Sequence, residues 1–232
     1  MKNKMMLLTL AAVSAVMFVL PAVASAGSPV IDPTSGKFPL AFTSIGGHSE
    51  LRATTAEPAI TCTSNTGSGK YTTGTTGEIG LTFHGCTTSF YGFPVKCNSS
   101  DQASGTIKTT SSVFHNTYVT EGKTDPGVLV TPPASGLFVT IICGGFANIE
   151  VRGNGIIGEL TAPQCGTAAQ KTATLNFSAI GSTQDLEKVT DTGTIFSLNS
   201  VTEGGPTVPA AEVAEGTVTY APAGETAKIT CV

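Results

Sequence analysis

The sequence predicts an all-β protein: a single-domain β-sandwich, with a closed Greek-key or up-and-down barrel as the alternative. Three observations carry this. Glycine (27) and proline (13) are spread along the 232 residues and about one residue in six is threonine, a mixture that lowers helix propensity and supplies turns and β-formers throughout. Short runs of period-2 alternation recur between turn signals roughly every 10 residues, with no amphipathic helices interleaved, which argues against βαβ units. Six cysteines follow an apolar N-terminal leader, the pattern of an exported chain whose thiols are oxidised to disulfides.

The leader comes first. Lys2 and Lys4 precede an apolar run from Met5 to Leu20, Pro21 breaks it, and Ala24-Ser25-Ala26 places small residues where signal peptidase reads. Residues 1–26 therefore read as a signal peptide. Uncleaved, Met5 to Ala26 would nearly span a bilayer of about 30 Å, but the Pro21 break followed by Ala-x-Ala favours cleavage. No later apolar stretch approaches about 20 residues, so no stable membrane insertion is expected after cleavage. The expected location is secreted or extracellular, including association with the cell wall. Residues 27–39 contain Pro29, Pro33, Gly36 and Pro39 and read as an irregular lead-in; residues 40–232 read as one all-β domain.

Within that domain Ile79, Leu81 and Phe83 alternate with Gly80, Thr82 and His84, and Ala173, Leu175, Phe177 and Ala179 alternate with Thr174, Asn176 and Ser178. Both are half-buried strands. Leu137 to Cys143 is apolar on both faces apart from Thr140, which suits a central strand; Cys143-Gly144-Gly145 then makes a tight turn into Asn148 to Arg152. The weakest join is Ala162 to Lys171, which Cys165 would tether. Ser182 to Val189 and Val208 to Glu215 offer two short helical possibilities. Val218 and Tyr220, then Ala227, Ile229 and Cys231, predict a closing hairpin across Pro222 and Gly224. The six cysteines, Cys62, Cys86, Cys97, Cys143, Cys165 and Cys231, predict three bridges whose pairing the sequence leaves open. A loop the size of Cys62 to Cys86 would contribute roughly 3 kcal/mol on closure.

Composition excludes several functions. Charged residues make up 12% of the chain, about half the usual share. Removing Lys2 and Lys4 from the 12 basic residues leaves 10 against 16 acidic ones. An acidic chain repels phosphate backbones, so nucleic acid is not an expected partner. Gly153-Asn154-Gly155-Ile156-Ile157-Gly158 matches the dinucleotide fingerprint letter for letter, but Pro163 forbids the helix whose N-terminus would hold the pyrophosphate; a glycine-cornered hairpin is the expectation. Gly67-Ser68-Gly69-Lys70-Tyr71 lacks the spacing and the hydroxyl of a phosphate loop. His84 and Cys86 have no second ligand pair for zinc, and no acidic cluster has calcium spacing. His48, His84 and His115 accompany no Gly-x-Ser-x-Gly elbow. Glu150 and Arg152 read as an exposed pair on one strand face, and no two of Glu57, Glu78 and Glu159 have spacing that recommends a glycosidase pair. Asn98-Ser99-Ser100 and Asn176-Phe177-Ser178 match a glycosylation acceptor that matters only in a eukaryotic host. Threonine-rich Thr72 to Thr76 shows no solenoid repeat. No catalytic residue, metal or cofactor is expected.

The locally distinctive feature is Phe90-Tyr91-Gly92-Phe93, followed by Pro94 between Cys86 and Cys97, a loop tied at both ends. Phe90, Tyr91 and Phe93 are the candidate ligand-binding residues, since rigid aromatics on a loop make a stacking platform or a hot spot; burial of Phe90 and Phe93 as a mini-core is the alternative. With the leader, Cys143-Gly144-Gly145, Val151 to Gly158 and Lys228-Ile229-Thr230-Cys231, the chain resembles a group of uncharacterised secreted, β-rich, cysteine-containing proteins of high-GC Gram-positive soil bacteria. That resemblance implies export and a β-rich fold and carries no activity. The sequence thus points to a non-catalytic binding module at the cell surface with a glycan or protein partner. A structural envelope component and a secreted hydrolase with an unrecognised site are the alternatives.

Overall fold

The computed structural model describes residues 27–53, 58–122, 124–145, 147–162, 164–189 and 192–231; the leader at residues 1–26 and Glu57 lie outside them. The described residues form strands without a helix. They are β1 (Val30–Pro33), β2 (Leu40–Ala53), β3 (Ile60–Cys62), β4 (Ser64–Tyr71), β5 (Thr76–His84), β6 (Thr87–Phe90), β7 (Phe93–Ser99), β8 (Thr106–Lys108), β9 (Ser112–Tyr118), β10 (Pro126–Thr131), β11 (Leu137–Cys143), β12 (Ala147–Gly153), β13 (Ile156–Ala162), β14 (Thr172–Phe177), β15 (Ala179–Ile180), β16 (Thr183–Gln184), β17 (Leu198–Thr202), β18 (Thr207–Ala221) and β19 (Ala227–Thr230). The all-β class predicted from the sequence is the class found.

The pairings are antiparallel and close on themselves. One circuit runs β2, β4, β5, β9, β10, β13, β14, β18 and back to β2; the other runs β2, β3, β6, β7, β11, β12, β17, β18 and back to β2. Closing a circuit pairs edges that an open sheet leaves bare; the second circuit closes between β3 and β6 at the single pair Thr61↔Thr87. The two circuits share β2 and β18, whose lengths of 14 and 15 residues let each serve both. The Leu40 to Gly46 part of β2 pairs with β4, and Ser49 to Leu51 pairs with β3.

The changeover is marked by a bulge. Between the partners Ala214↔Ser49 and Gly216↔Gly46, β18 advances two residues and β2 three. The extra residue flips the phase of β2: Leu40, Phe42 and Ser44 are buried before it and Ser49 after it. Gly46 is required there, because a Cβ would overlap the Glu215 carbonyl oxygen and the Asn65 side chain.

Core packing follows the alternation. Phe42, Tyr71 and Phe114 meet edge to face, with centroids 5.9, 5.9 and 4.7 Å apart. The Tyr71 hydroxyl donates to Asn116 Oδ1 at 3.2 Å, and Asn116 Nδ2 donates to the Pro29 and Gly74 carbonyls, so the polar atoms inside this cluster are satisfied. On β5 Ile79 and Phe83 are buried; β11 is paired on both sides, by β7 and β12, as its two-faced apolar pattern requires.

Several local expectations are corrected. Val30–Pro33, inside the stretch read as an irregular lead-in, is a strand paired with β19. That pairing replaces the expected hairpin of β18 with β19, and its cause is a partner about 200 positions away that no local pattern reveals. Gly153-Asn154-Gly155 is not a hairpin: β12 pairs with β11 and β17, whereas β13 pairs with β10 and β14. The connection is instead a corner pinned by Asn154, whose Nδ2 donates to the Ile195 carbonyl at 3.0 Å and whose Oδ1 accepts from the Ser197 amide at 2.8 Å. Val208 to Glu215 lies within β18, and Ser182 to Val189 contains β16; pairing on both edges overrides weak helical spacing in the first case. The alternation of Ala173 to Ala179 stops at Phe177, where β14 ends.

Candidate functional site

The aromatic run forms the tip of the β6–β7 hairpin. Thr87↔Lys96, Thr88↔Val95, Ser89↔Pro94 and Phe90↔Phe93 are cross-strand partners, leaving Tyr91-Gly92 as a two-residue turn. Both have positive φ, 48° and 82°, as a type I′ turn demands because its twist matches the flanking strands. Glycine enters this region freely, but a bulky L-residue does so at a cost.

The three aromatics divide by role. Phe90 is half-buried and packs against the core beside Leu51, Ile60 and Ile149. Its ring meets that of Tyr91 edge-on at 5.5 Å. Tyr91 is 94% exposed and Phe93 73% exposed. Phe93 is therefore not part of a mini-core, whereas Phe90 is the anchor of the hairpin.

Both arms of the hairpin are tied covalently. The disulfides are Cys62–Cys86, Cys97–Cys143 and Cys165–Cys231. Cys62–Cys86 fastens the entry to β6 onto β3, and Cys97–Cys143 fastens β7 onto β11; Cys86, Cys97 and Cys143 are wholly buried. The Cys97 amide also donates to the Cys86 carbonyl at 3.0 Å. Lys96 is the one charged residue between Thr87 and Ser99. Cys165–Cys231 ties the weak 162–171 join to the terminal strand.

The other candidate residues are dispersed. Cys86 is committed to a disulfide and so is not a metal ligand beside His84. His84 Nε2 lies 3.3 Å from Thr66 Oγ1, and His48 Nε2 lies 3.9 Å from Glu50 Oε1. His115 is exposed on β9, with desolvation lowering its pKa. Arg152 Nε donates to Glu150 Oε2 at 2.7 Å, and this bond holds the Glu150 carboxyl below its ordinary value. Glu78 pairs with Lys70 at 3.4 Å.

Sequence reasoning missed an interior pair, Ser49 and Glu212. Both line a cavity of about 70 Å³ bordered by strands of the two circuits. Burial pushes the Glu212 carboxyl well above the usual carboxylate range. Counting back by two from Tyr220 and Val218 places Glu212 on the inner face of β18; Ser49 is brought inward by the bulge, which no periodicity signals. No protein-family model, curated protein or solved structure matches the chain.

Proposed function

We propose that the chain is an exported, non-catalytic binding module that presents Tyr91 and Phe93 to a polysaccharide of the cell surface. The observation that carries this reading is the left-handed Tyr91 at the tip of a hairpin fastened by two disulfides, with its ring almost wholly in solvent. A bulky residue in that conformation is strained, and local strain concentrates where function needs it. Sugar rings present C–H faces that stack on exposed aromatics, and a platform already ordered by its disulfides loses little freedom on binding. The disulfides fit an oxidising, extracellular setting. Among the described residues no helix is long and apolar enough to cross a membrane.

The test is cosedimentation of the oxidised protein with purified cell-wall polysaccharide. Tyr91→Ala with Phe93→Ala should weaken binding by about 1–3 kcal/mol and leave the melting temperature within about a degree of wild type, as for other surface substitutions. Loss of several degrees without a change in binding would show that the aromatics serve the fold. Retention of the wild-type protein by a cell-surface protein in place of polysaccharide would reassign the ligand class.

A further inference from the structure

The interior of the circuits carries a second site, independent of the hairpin. A cavity of about 70 Å³ is lined mostly by aliphatic and aromatic side chains, including Ile79, Leu81, Phe83 and Ile141. A neighbouring cavity of about 40 Å³ shares Ile79, Leu81, Phe83, Ile156 and Glu212 with it. Glu212 therefore stands on the border of both.

Four polar side chains line this apolar space; the Thr109 and Ser112 hydroxyls donate to the Leu81 and Thr110 carbonyls, which leaves Ser49 and Glu212. Ser49 is 1% exposed, and its hydroxyl has no hydrogen-bond partner among the described residues. The Glu212 amide donates to Gln184 Oε1 at 2.6 Å, and its half-buried side chain lines the cavity. Among the residues lining this cavity it is the one ionisable side chain, Cys62 being disulfide-bonded. Buried polar groups in folded proteins are nearly always paired, so what completes Ser49 is a physical question.

Water alone answers it poorly. A water molecule takes roughly 30 Å³ and needs two to four polar partners. Apart from its four polar side chains the lining is aliphatic and aromatic, and apolar cavity space stays dry and accepts apolar molecules. A ligand cation is also disfavoured, since its charge would have to be buried with that of the carboxylate. A neutral carboxylic acid both donates and accepts, and so does a hydroxyl; the two are complementary.

We propose that the cavity is a binding site for a small neutral amphiphile, a short aliphatic chain ending in a hydroxyl, with its head on Glu212 and Ser49 and its body among Ile79, Leu81 and Phe83. The probes are the 1-alkanols from ethanol to hexanol, titrated into the full oxidised protein and read by saturation-transfer NMR. Saturable binding should tighten with each added carbon until the space is filled and then weaken. Alkylammonium ions of the same length should bind at least tenfold more weakly. Glu212→Leu and Ser49→Val should each weaken the best alkanol at least tenfold, and Tyr91→Ala with Phe93→Ala should leave it unchanged. If either interior variant fails to fold, the alkanol-to-alkylammonium ratio on the wild-type protein decides. Absence of saturable alkanol binding, equal binding of the ammonium series, or full affinity in a folded Glu212→Leu protein would overturn the proposal.

Discussion

Tyr91 and Glu212 each sit in surroundings that oppose their chemistry, and each gives a stability prediction. The φ of 48° at Tyr91 costs an L-residue about 1–2 kcal/mol, and glycine would remove that cost while adding freedom to the unfolded chain. Tyr91→Gly should therefore raise the urea-derived unfolding free energy by roughly 0.5–1 kcal/mol, and it should weaken polysaccharide binding. A drop in stability would mean that the ring contributes packing. Glu212 is the converse case. Its folded pKa is raised above the ordinary value of 4.5, so above that pH the fold retains a proton that the unfolded chain has released. Stability must then fall as pH rises through the window from 4.5 to the folded value, at about 1.4 kcal/mol per unit. Glu212→Gln removes the effect. Its melting temperature should match wild type near pH 4 and exceed it increasingly toward neutral pH; parallel pH profiles would show that the carboxyl is solvated.

At the scale of elements, the β2–β18 ribbon depends on its bulge. Gly46→Ala would press a methyl group onto the Glu215 carbonyl and Asn65, and the loss should exceed about 2 kcal/mol in denaturant melts, whereas Gly47→Ala, which meets nothing within 4 Å, should cost far less. The same bulge explains what the sequence conceals. Strands such as β5 and β14 are legible because each keeps one phase over its length: Ile79 and Phe83, Ala173 and Phe177 point inward as alternation requires. Ser49 is not legible, because its inward direction follows from one inserted residue on β2. Glu212 lies in phase with Val218 and Tyr220, yet its alanine-rich neighbourhood imitates a helical turn. Partner choice is the other hidden quantity. The pairing of β1 with β19 depends on closing nearly the whole chain, and the Gly153 to Gly158 corner depends on Ile195 and Ser197, contacts that hydropathy does not encode. For the hairpin, the aromatic run and its flanking cysteines are visible in the sequence; the two-residue turn that separates half-buried Phe90 from exposed Tyr91 and Phe93 is a matter of register.

On the scale of the whole molecule, two circuits sharing β2 and β18 keep the two proposed sites apart. The hairpin projects from the second circuit, and the Glu212 cavity is bordered by strands of the two circuits, so one can be altered without the other. The rigid network fixes the hairpin base, and the Cys62–Cys86 and Cys97–Cys143 bonds extend that rigidity to its arms. Recognition should therefore be local, with little rearrangement elsewhere. The most direct measurement is an amide chemical-shift titration of the isotopically labelled, oxidised protein with soluble cell-wall polysaccharide fragments. The account predicts saturable shifts concentrated at Ser89 to Val95, with the interior positions Ser49, Ile79 and Glu212 unmoved. Shifts centred on another face of the circuits, or no saturable shift at any residue, would contradict it.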